Sequence, residues 1–367
     1  MKSHTTRIGF VTTEYPPHVG GAARSAERLV KGLVLAGFEV VVFAALKPNE
    51  EHSGVEVAPE GNKIYRGPPI LEAAVDSISK EEKLRPFDLF HGFTLQSSYP
   101  CLDIAAEGNR PVLSSIRGAD GLSFDYFTAE VLQRSTWITS VSGDSLKRAM
   151  TVRDISQCSS VIPNGIDVTR FPQWRPTQAN IGIVGTVATF RPKKNIPLLI
   201  RSYSRVPAEI RRRLLLVGDV YDGNAILRDG REQLQALIDE LGITEEVEIT
   251  GFVDHALLPK YHKSMRAFVL SSDHEGMPNA LLEAAASGVP IVTTAVDGVK
   301  DIFTNGKDAL MVEPGALDQL AEAIRQVLTK EDLACRLSYE ARTTATRYTP
   351  AAELQRYIEL YRRLLAR

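Results

Sequence analysis

The stretch that decides the fold is SSDHEGMPNALLEAAASGVPIV, residues 271–292. It predicts the end of a strand, a loop that contains Glu275 and Gly276, a helix, and a second buried strand. Pro278 near the first helical turn and Gly288 just after the last are typical of helix ends. The alanine-rich segment between them favours a helix. Because such a helix begins behind a short loop, its first backbone N–H groups point outward, and its N-terminus is predicted to bind an anion.

Two carboxylates accompany this predicted anion site. Glu275 lies in the loop, and Glu283 lies inside the helix. Either glutamate alone is best interpreted as a solvated surface residue, but an apolar alanine-rich helix gains nothing structural from Glu283. Amides would hold phosphate, while carboxylates accept hydrogen bonds from hydroxyls. A ligand that combines phosphate with several hydroxyls is a nucleotide sugar, and this is the ligand we predict.

The composition bounds the class of protein. With 367 residues the chain is long enough for two domains of ordinary size. Its 44% hydrophobic and 24% charged residues are typical of a soluble globular protein. The net charge of −2 argues against nucleic acid as a partner. Three widely separated cysteines indicate neither a disulfide framework nor a metal cluster, and without a signal-peptide pattern we expect a cytoplasmic location.

The first part of the chain alternates strand and helix patterns. RIGFVT, residues 7–12, predicts a buried parallel strand, followed by a loop with Gly20 and Gly21 and a helix over 25–36. Further strands are predicted over 38–44, 87–93, 111–116, 136–142 and 159–163. This alternation is typical of a doubly wound sheet, in which ligands bind at the carboxyl ends of the strands.

The alternation starts again after a segment rich in turn residues. Residues 1–165 are predicted to form the first domain, 166–180 an interdomain linker, and 181–349 a second doubly wound domain. Strands of the second domain are predicted over 181–187, 214–218, 247–252, 267–272, 289–294 and 309–312. The tail, residues 350–367, predicts one amphipathic helix.

Several segments resemble the retaining glycosyltransferases of family 4, which have the GT-B fold. They occur in the family's order along nearly the whole chain, at residues 16–40, 161–167, 190–200, 275–290 and 297–324. The resemblance implies an α/β protein with two facing Rossmann-like domains and a central cleft. It also implies that the first domain binds the acceptor, that the second binds the nucleotide sugar, and that the last helix crosses back to the first domain.

The resemblance assigns roles to the two glutamates. In the family the first glutamate of the Glu-x7-Glu element contacts the sugar and the second contacts the ribose, which implies these roles for Glu275 and Glu283. The residues expected to bind the donor are Gly20, Gly21, Thr189, Phe252, Val253, Gly276, Met277, Pro278, Asn279, Leu282 and Glu283. For the glycine pair, a plain turn is the alternative to a close approach to the diphosphate.

Positive charge for the diphosphate is expected from the loop TFRPKKN. Arg191 and Lys194 match the family in character, and together with Glu275 they form the predicted catalytic set. Many relatives have an arginine where this chain has Thr189, and Arg191 is expected to replace it from a different angle. Lys193 is interpreted as a solvated lysine.

Three residues of the first domain are candidate acceptor or sugar contacts. They are His91, Arg117 and Asp120. Arg117 replaces a histidine that many relatives have, and it could instead pair with Asp120. His91 could instead be a core histidine that bonds to a neighbouring group.

The resemblance implies transfer of a hexose-type sugar, with retention, from a nucleoside diphosphate donor, UDP being the commonest. The expected acceptor is a hydroxyl of a glycan, a glycolipid or a small molecule, and membrane association is expected only for a lipid acceptor. We expect a front-face mechanism without a metal ion or another cofactor, because no suitable DxD pair is present.

Other functions compete with this prediction. A nucleotide-sugar epimerase or a phosphorylase could have the same fold, and a non-catalytic nucleotide-sugar-binding subunit is a further alternative. A dehydrogenase ranks last, because no GxGxxG sequence follows the first strand of either domain.

Overall fold

The computed structural model shows two compact units, Met1–Gly165 with Pro350–Arg367, and Ile166–Thr349. We call them the first and the second domain, and each is described by itself. The residues that the structure describes are 5–18, 20–45, 54–67, 71–117, 126–220 and 225–366. Both domains have an α/β architecture with parallel strands, which confirms the predicted fold class.

Strands and helices alternate along most of the chain. The strands are β1 (Arg7–Thr12), β2 (Glu39–Ala45), β3 (Gly54–Val57), β4 (Lys63–Gly67), β5 (Leu89–Gly92), β6 (Val112–Ile116), β7 (Trp137–Ser140), β8 (Ser159–Val161), β9 (Ile183–Val187), β10 (Arg213–Val217), β11 (Val247–Ile249), β12 (Ala267–Leu270), β13 (Ile291–Thr294) and β14 (Leu310–Val312).

The helices are α1 (Gly21–Leu35), α2 (Leu71–Leu84), α3 (Leu95–Ser98), α4 (Leu102–Glu107), α5 (Tyr126–Arg134), α6 (Gly143–Val152), α7 (Ile196–Ser204), α8 (Ala225–Glu240), α9 (Leu258–Ser264), α10 (Asn279–Ser287), α11 (Asp297–Lys300), α12 (Leu317–Thr329), α13 (Glu331–Ala345) and α14 (Pro350–Leu365).

The first domain contains an eight-stranded sheet in the order β3-β4-β2-β1-β5-β6-β7-β8. Neighbouring strands are parallel except for β3 and β4, which form an antiparallel hairpin at the edge that the sequence analysis did not predict. Every residue of β1 is buried, as expected for a central strand covered on both faces.

The last helix belongs to the first domain. Tyr357 and Tyr361 of α14 are buried in the same hydrophobic core as Leu29 and Leu33 of α1. A Cβ atom on Gly32 would lie 3.0 Å from the Leu354 side chain, so glycine at this position lets the two helices pack closely. The core of the first domain therefore depends on residues that follow the whole second domain in the chain.

The second domain contains a six-stranded parallel sheet in the order β11-β10-β9-β12-β13-β14. From β9 the chain first moves outward through β10 and β11, and then returns to add β12 on the other side of β9. The winding therefore reverses between β9 and β12. In open parallel sheets, ligands bind beyond the carboxyl ends of the strands at such a switch point.

Residues 166–180 belong to the second domain instead of forming the predicted separate linker. Phe171 and Trp174 are buried in the core of that domain. The Trp174 indole N–H donates to the carbonyl of Met265 at 2.7 Å, and its backbone N–H donates to Ser287 at 2.7 Å. Turn-rich composition suggested a linker, but two large apolar side chains stabilise this segment against the domain.

Among the described residues, no helix combines the length and the apolar character needed to cross a bilayer.

Candidate functional site

Two loops meet at the switch point of the second domain. One follows β9 and contains residues 188–195, and the other follows β12 and contains residues 271–278. The Ser271 hydroxyl donates to the carbonyls of Lys194 and Asn195 at 2.9 and 3.0 Å. The Asn195 amide donates to the Asp273 carboxylate at 2.9 Å, and the Asp273 N–H donates to the Lys193 carbonyl at 2.9 Å. The two loops therefore hold each other in position.

This arrangement brings two of the predicted catalytic residues into direct contact. Lys194 Nζ lies 2.5 Å from Glu275 Oε1, and the Ser272 hydroxyl donates to the same oxygen at 2.7 Å. The side chains are 18% exposed for Lys194 and 7% for Glu275. The ion pair is thus sheltered, although part of the Lys194 side chain contacts solvent.

Arg191 is placed in the same loop as Lys194. The Lys194 N–H donates to the Arg191 carbonyl at 2.9 Å, and the Arg191 N–H donates to the Thr189 carbonyl at 2.8 Å. Arg191 immediately precedes a 3₁₀ turn, Pro192–Lys194, which ends at Asn195 in the left-handed region at φ 44°. The tight turn keeps both cationic residues close to the end of β9.

The loop after β12 leads into α10, as predicted. Pro278 precedes the first helical residue, Asn279, and makes no side-chain capping bond. Gly276 and Met277 are buried. A Cβ atom on Gly298 of α11 would lie 1.9 Å from the Gly276 carbonyl oxygen, so only glycine permits this close packing. No role was predicted for Gly298 from the sequence.

Within α10, Leu282 and Glu283 are both buried. Glu283 Oε1 lies 2.7 Å from Nε2 of His255, which follows β11. Phe252 and Val253, predicted to bind the donor, lie in the same segment as His255, with Phe252 46% exposed and Val253 packed against the core. His255 was not predicted, because a polar residue after a short strand gives no distinctive sequence signal.

A second histidine lies behind this contact. His262 of α9 is completely buried beside Phe171 and Phe268, and neither ring nitrogen has a hydrogen-bond partner among the described residues. Burial lowers the pKa of His262 to about 4, and the nearby carboxylate of Glu283 opposes this shift only in part.

The glycine pair lies at the carboxyl end of β1 in the first domain. Gly20 immediately precedes α1, with φ 152°, and Gly21 is the first residue of that helix. A Cβ atom on Gly20 would lie 3.3 Å from a carboxylate oxygen of Glu14. The backbone of Gly20 therefore favours glycine.

His91 is a core residue and not a surface contact. Its Nδ1 lies 2.7 Å from the Tyr361 hydroxyl, and its Nε2 lies 2.9 Å from the Ser115 hydroxyl. The side chain is completely buried, and burial, together with the Arg117 charge, keeps its pKa well below the ordinary value. His91 cannot contact an acceptor in this arrangement, because both ring nitrogens are used inside the domain.

The side chain of Arg117 lies within the first domain and is only 7% exposed. Its guanidinium lies 3.6 Å from the centre of the Phe93 ring, donates to the Asn164 side chain at 2.5 Å, and lies 3.9 Å from Glu353. Burial lowers its pKa from the ordinary value. The alternative partner Asp120 lies outside the described residues. The structure therefore gives Arg117 internal partners, while its Nε and Nη2 atoms make no hydrogen bond among the described residues.

The contacts between the two loops were not predicted from the sequence. Ser271, Ser272, Asp273 and Asn195 hold Lys194 and Glu275 together, but none of them was a predicted site residue. The run SSD before the predicted loop was the available signal. Among the described residues, no three His, Cys, Asp or Glu side chains are grouped where they could hold a metal ion.

Comparison with known families adds a finding for each half of the chain. Residues 19–170 match the family model described as Glycosyltransferase Family 4, and residues 173–344 match the model described as Glycosyl transferases group 1. The two matched segments follow each other with a gap of two residues and together include most of the chain.

Curated relatives agree with these matches. The chain is 32% identical over 132 residues to the 2-deoxystreptamine N-acetyl-D-glucosaminyltransferase of Niallia circulans, a match that spans 36% of this chain and only 34% of the relative. It is 26% identical to an uncharacterized glycosyltransferase of Methanocaldococcus jannaschii, over 88% of this chain and 89% of the relative.

Solved structures agree on the fold. Sucrose-phosphate synthase from Thermosynechococcus elongatus superposes with a TM-score of 0.86 at 21% identity, over 98% of this chain and 99% of the other. HepE of Anabaena, in complex with UDP, gives a TM-score of 0.80 at 19% identity, over 97% and 99%. With both halves matched by glycosyltransferase models and the fold shared with these structures, the chain is a glycosyltransferase of the GT-B fold.

Proposed function

We propose that the chain is a retaining hexosyltransferase that moves a sugar from a nucleoside diphosphate, with UDP as the nucleotide, to an acceptor hydroxyl. The observation that carries this proposal is the pair of mutually bonded loops at the switch point between β9 and β12. These loops place Lys194 against Glu275 and put both residues beside the start of α10. Cation, carboxylate and helix N-terminus are the groups that a sugar diphosphate needs.

The diphosphate is assigned to the loop after β9. The Lys194 ammonium has three N–H donors, so it can keep its contact with Glu275 while it donates to a phosphate oxygen. Arg191 in the same loop adds a planar guanidinium that can bind two phosphate oxygens at once. The α10 N-terminus contributes the positive end of its helix dipole through the backbone of Gly276 to Asn279.

The sugar is assigned to Glu275. Both described hydrogen bonds of its carboxylate involve Oε1, which leaves Oε2 as the acceptor for sugar hydroxyls. The ribose is assigned to Glu283, whose Oε1 contacts His255. Gly20, Gly21, Thr189, Phe252 and Val253 remain proposed donor contacts.

The proposed reaction is a front-face substitution. The bond between the anomeric carbon and the phosphate oxygen breaks with its electron pair on the diphosphate. The acceptor hydroxyl forms the new bond on the same face and passes its proton to the departing diphosphate oxygen. Lys194, Arg191 and the α10 amides would stabilise the charge that develops on the diphosphate, so the proposed mechanism needs no metal ion.

The comparisons support a nucleotide sugar as the donor. One relative is named as an N-acetyl-D-glucosaminyltransferase, and one structural neighbour was solved in complex with UDP. The acceptor is proposed to be a hydroxyl of a glycan, a glycolipid or a small molecule.

A thermal-shift panel of UDP, GDP, ADP and TDP tests the nucleotide. A ligand present at 100 times its Kd stabilises the folded protein by about 2.7 kcal/mol, so the correct nucleotide should raise the Tm clearly. UDP is expected to give the largest shift. If no nucleoside diphosphate shifts the Tm, the proposed donor site is wrong.

Turnover is tested with the matching UDP-sugar and a panel of hydroxyl acceptors. UDP release that depends on the acceptor, with the donor's anomeric configuration retained in the product by NMR, would support transfer with retention. The same rates with and without EDTA would support the metal-independent mechanism. A donor isomerised in the absence of acceptor would favour an epimerase instead.

A further inference from the structure

Three side chains form a line that ends at Glu283. The Arg170 guanidinium Nη2 lies 3.3 Å from Nδ1 of His255, and Nε2 of His255 lies 2.7 Å from Glu283 Oε1. Arg170 lies in a 3₁₀ turn, Val168–Arg170, which follows the capping residue Asp167. His255 lies in the turn that precedes α9. All three residues belong to the second domain.

The chemistry of arginine fixes the tautomer of His255. A guanidinium has N–H donors and no acceptor, so Nδ1 of His255 must accept the hydrogen bond from Arg170. The proton of the neutral ring then lies on Nε2, which faces Glu283. His255 therefore donates to the Glu283 carboxylate, which has no donor of its own and requires the same tautomer as Arg170.

The surroundings of Glu283 make this donor important. The Glu283 side chain is only 10% exposed, and Ala284, Ala285 and Ala286 after it in α10 are completely buried and offer no polar side chain. Carboxylates that lose solvent need hydrogen-bond donors to remain charged and ordered. His255 is the one described side chain that donates to this carboxylate.

The contact with His255 also gives the two carboxylate oxygens of Glu283 different roles. Oε1 is held by His255, while Oε2 makes no hydrogen bond within the described part of the chain. A carboxylate held through one oxygen cannot rotate freely, so the direction of the other oxygen is fixed. The fixed oxygen is suited to accept hydrogen bonds from the hydroxyls of a ribose.

We propose that His255, fixed in its tautomer by Arg170, is a positioning residue that orients Glu283 for recognition of the ribose hydroxyls of a nucleoside diphosphate donor. This inference rests on the proposed function, in which Glu283 contacts the ribose. It adds a specificity element that lies outside the Glu-x7-Glu sequence.

The test measures binding of UDP and of 2′,3′-dideoxyUDP by calorimetry. The second nucleotide has the same base and diphosphate but lacks both ribose hydroxyls. Wild-type protein is expected to bind UDP at least 10-fold more tightly than the dideoxy analogue. His255→Ala should weaken UDP binding about 10-fold and leave binding of the analogue unchanged, because the contact it supports is absent there.

Further variants separate positioning from folding. His255→Gln keeps a side-chain N–H donor and should retain UDP affinity to within about 3-fold. In a Glu283→Ala background, His255→Ala should have no additional effect on UDP binding, since the group it orients is gone. Lys260→Ala on α9 is exposed and serves as a matched control on the neighbouring surface.

The outcomes distinguish this inference from the proposed function. If the wild-type protein binds neither nucleotide, the proposed donor site fails, and this inference fails with it. If the wild type prefers UDP but His255→Ala keeps that preference, only the positioning role is wrong. If His255→Ala weakens both nucleotides equally, His255 supports the fold of the site and does not orient Glu283.

Discussion

The two domains use the carboxyl ends of their central strands in different ways. Both sheets reverse their winding at corresponding places, between β1 and β5 in the first domain and between β9 and β12 in the second. In the first, His91 is completely buried and bonded to Tyr361 and Ser115. In the second, Lys194 and Glu275 contact each other and Lys194 remains partly exposed.

The difference lies in what the rest of the domain supplies. In the first domain, α14 contributes Tyr361, which is hydrogen-bonded to His91, and Glu353, whose carboxylate lies 3.9 Å from the Arg117 guanidinium. In the second domain, the two strand-end loops supply partners mainly to each other. A polar residue at the end of a strand therefore indicates a ligand site only if its side chain is accessible. A side chain that is buried and hydrogen-bonded within its own domain is not available to a ligand.

The largest expected effect comes from the second domain. Glu275→Ala should lower kcat about 10³-fold, because it removes the proposed contact to the sugar, while UDP binding should change by less than about 3-fold. Glu283→Ala should instead weaken UDP binding by at least 10-fold. Initial rates of UDP release and calorimetry with UDP measure the two effects.

A matched control for these variants is Glu240→Ala at the exposed end of α8. Rates and UDP affinity should both stay at the wild-type level. Equal losses of UDP affinity in Glu275→Ala and Glu283→Ala would contradict the separate sugar and ribose roles.

In the first domain, the expected loss is in stability. The Glu353 carboxylate accepts hydrogen bonds from Arg28 at 2.9 and 3.0 Å and from the Gly165 N–H at 3.0 Å, and it is buried. Glu353→Ala leaves these donors unpaired and should lower the free energy of unfolding by about 3 kcal/mol. Urea denaturation followed by circular dichroism measures the change.

Two variants sharpen this contrast between the domains. Glu359→Ala, at an exposed position of the same helix, should change stability by less than about 0.5 kcal/mol. Lys194→Ala should cost less, about 1 kcal/mol, because the Glu275 carboxylate keeps its hydrogen bond from the Ser272 hydroxyl. Similar losses in Glu353→Ala and Lys194→Ala would mean that both clusters are primarily structural.

A smaller effect is expected at Gly298. In Gly298→Ala the new methyl group would overlap the Gly276 carbonyl, so the loop that carries Glu275 must shift. We expect a loss of about 2 kcal/mol in stability, together with a fall in kcat. Thermal unfolding and initial rates test this.

Gly230→Ala in α8 is the matched control for the glycine substitution. Its Cβ would make only ordinary contacts, at 3.6 Å from Val220. Helical alanine is favoured over glycine, so this variant should be neutral or more stable by up to about 1 kcal/mol. An unchanged Tm and kcat in Gly298→Ala would show that the loop tolerates a shift.

The smallest effect is a pH dependence from His262. Its pKa is about 4 in the folded protein, against an ordinary value of 6.5. Between these pH values the unfolded chain binds a proton that the folded protein does not, so stability is full above pH 6.5 and falls as the pH drops toward 4. The loss from pH 7 to pH 5.5 should be about 1 kcal/mol.

His262→Leu should reduce this acid sensitivity by that amount, measured by urea denaturation at the two pH values. His274→Ala, which removes an exposed histidine, is the matched control for this substitution. His91 continues to contribute in both variants, because its pKa is also lowered. If the stability of His262→Leu and of the wild type depended on pH in the same way, the loss of stability at low pH could not be assigned to His262.

The sequence predicted much of the fold because the strands are short, apolar and regularly spaced. The strands predicted over 7–12, 181–187 and 267–272 contain the observed strands β1, β9 and β12, and α10 lies between Pro278 and Gly288 as expected. The edge hairpin β3–β4 was missed, since Val55 and Val57 are largely exposed and give no core pattern.

Part of the site could also be predicted from local sequence patterns. Lys194 and Glu275 lie in segments with a strong local pattern, and the structure brings them together. The partners of His91 and Glu283 could not be predicted, because Tyr361 is 270 residues away from His91 and His255 is 28 residues away from Glu283. Sequence spacing alone does not indicate which distant side chain completes a buried polar group.

The position of α14 also has a consequence for how the chain folds during its synthesis. The second domain is one continuous segment, Ile166–Thr349, whereas the first needs Tyr357 and Tyr361 to complete its core. A ribosome makes all of the second domain before it makes these tyrosines. Domains usually mature in the order of synthesis. Here the domain that is begun first is completed after the second one, and a nascent chain that lacks α14 leaves the face of α1 that packs on it uncovered until that helix has been made.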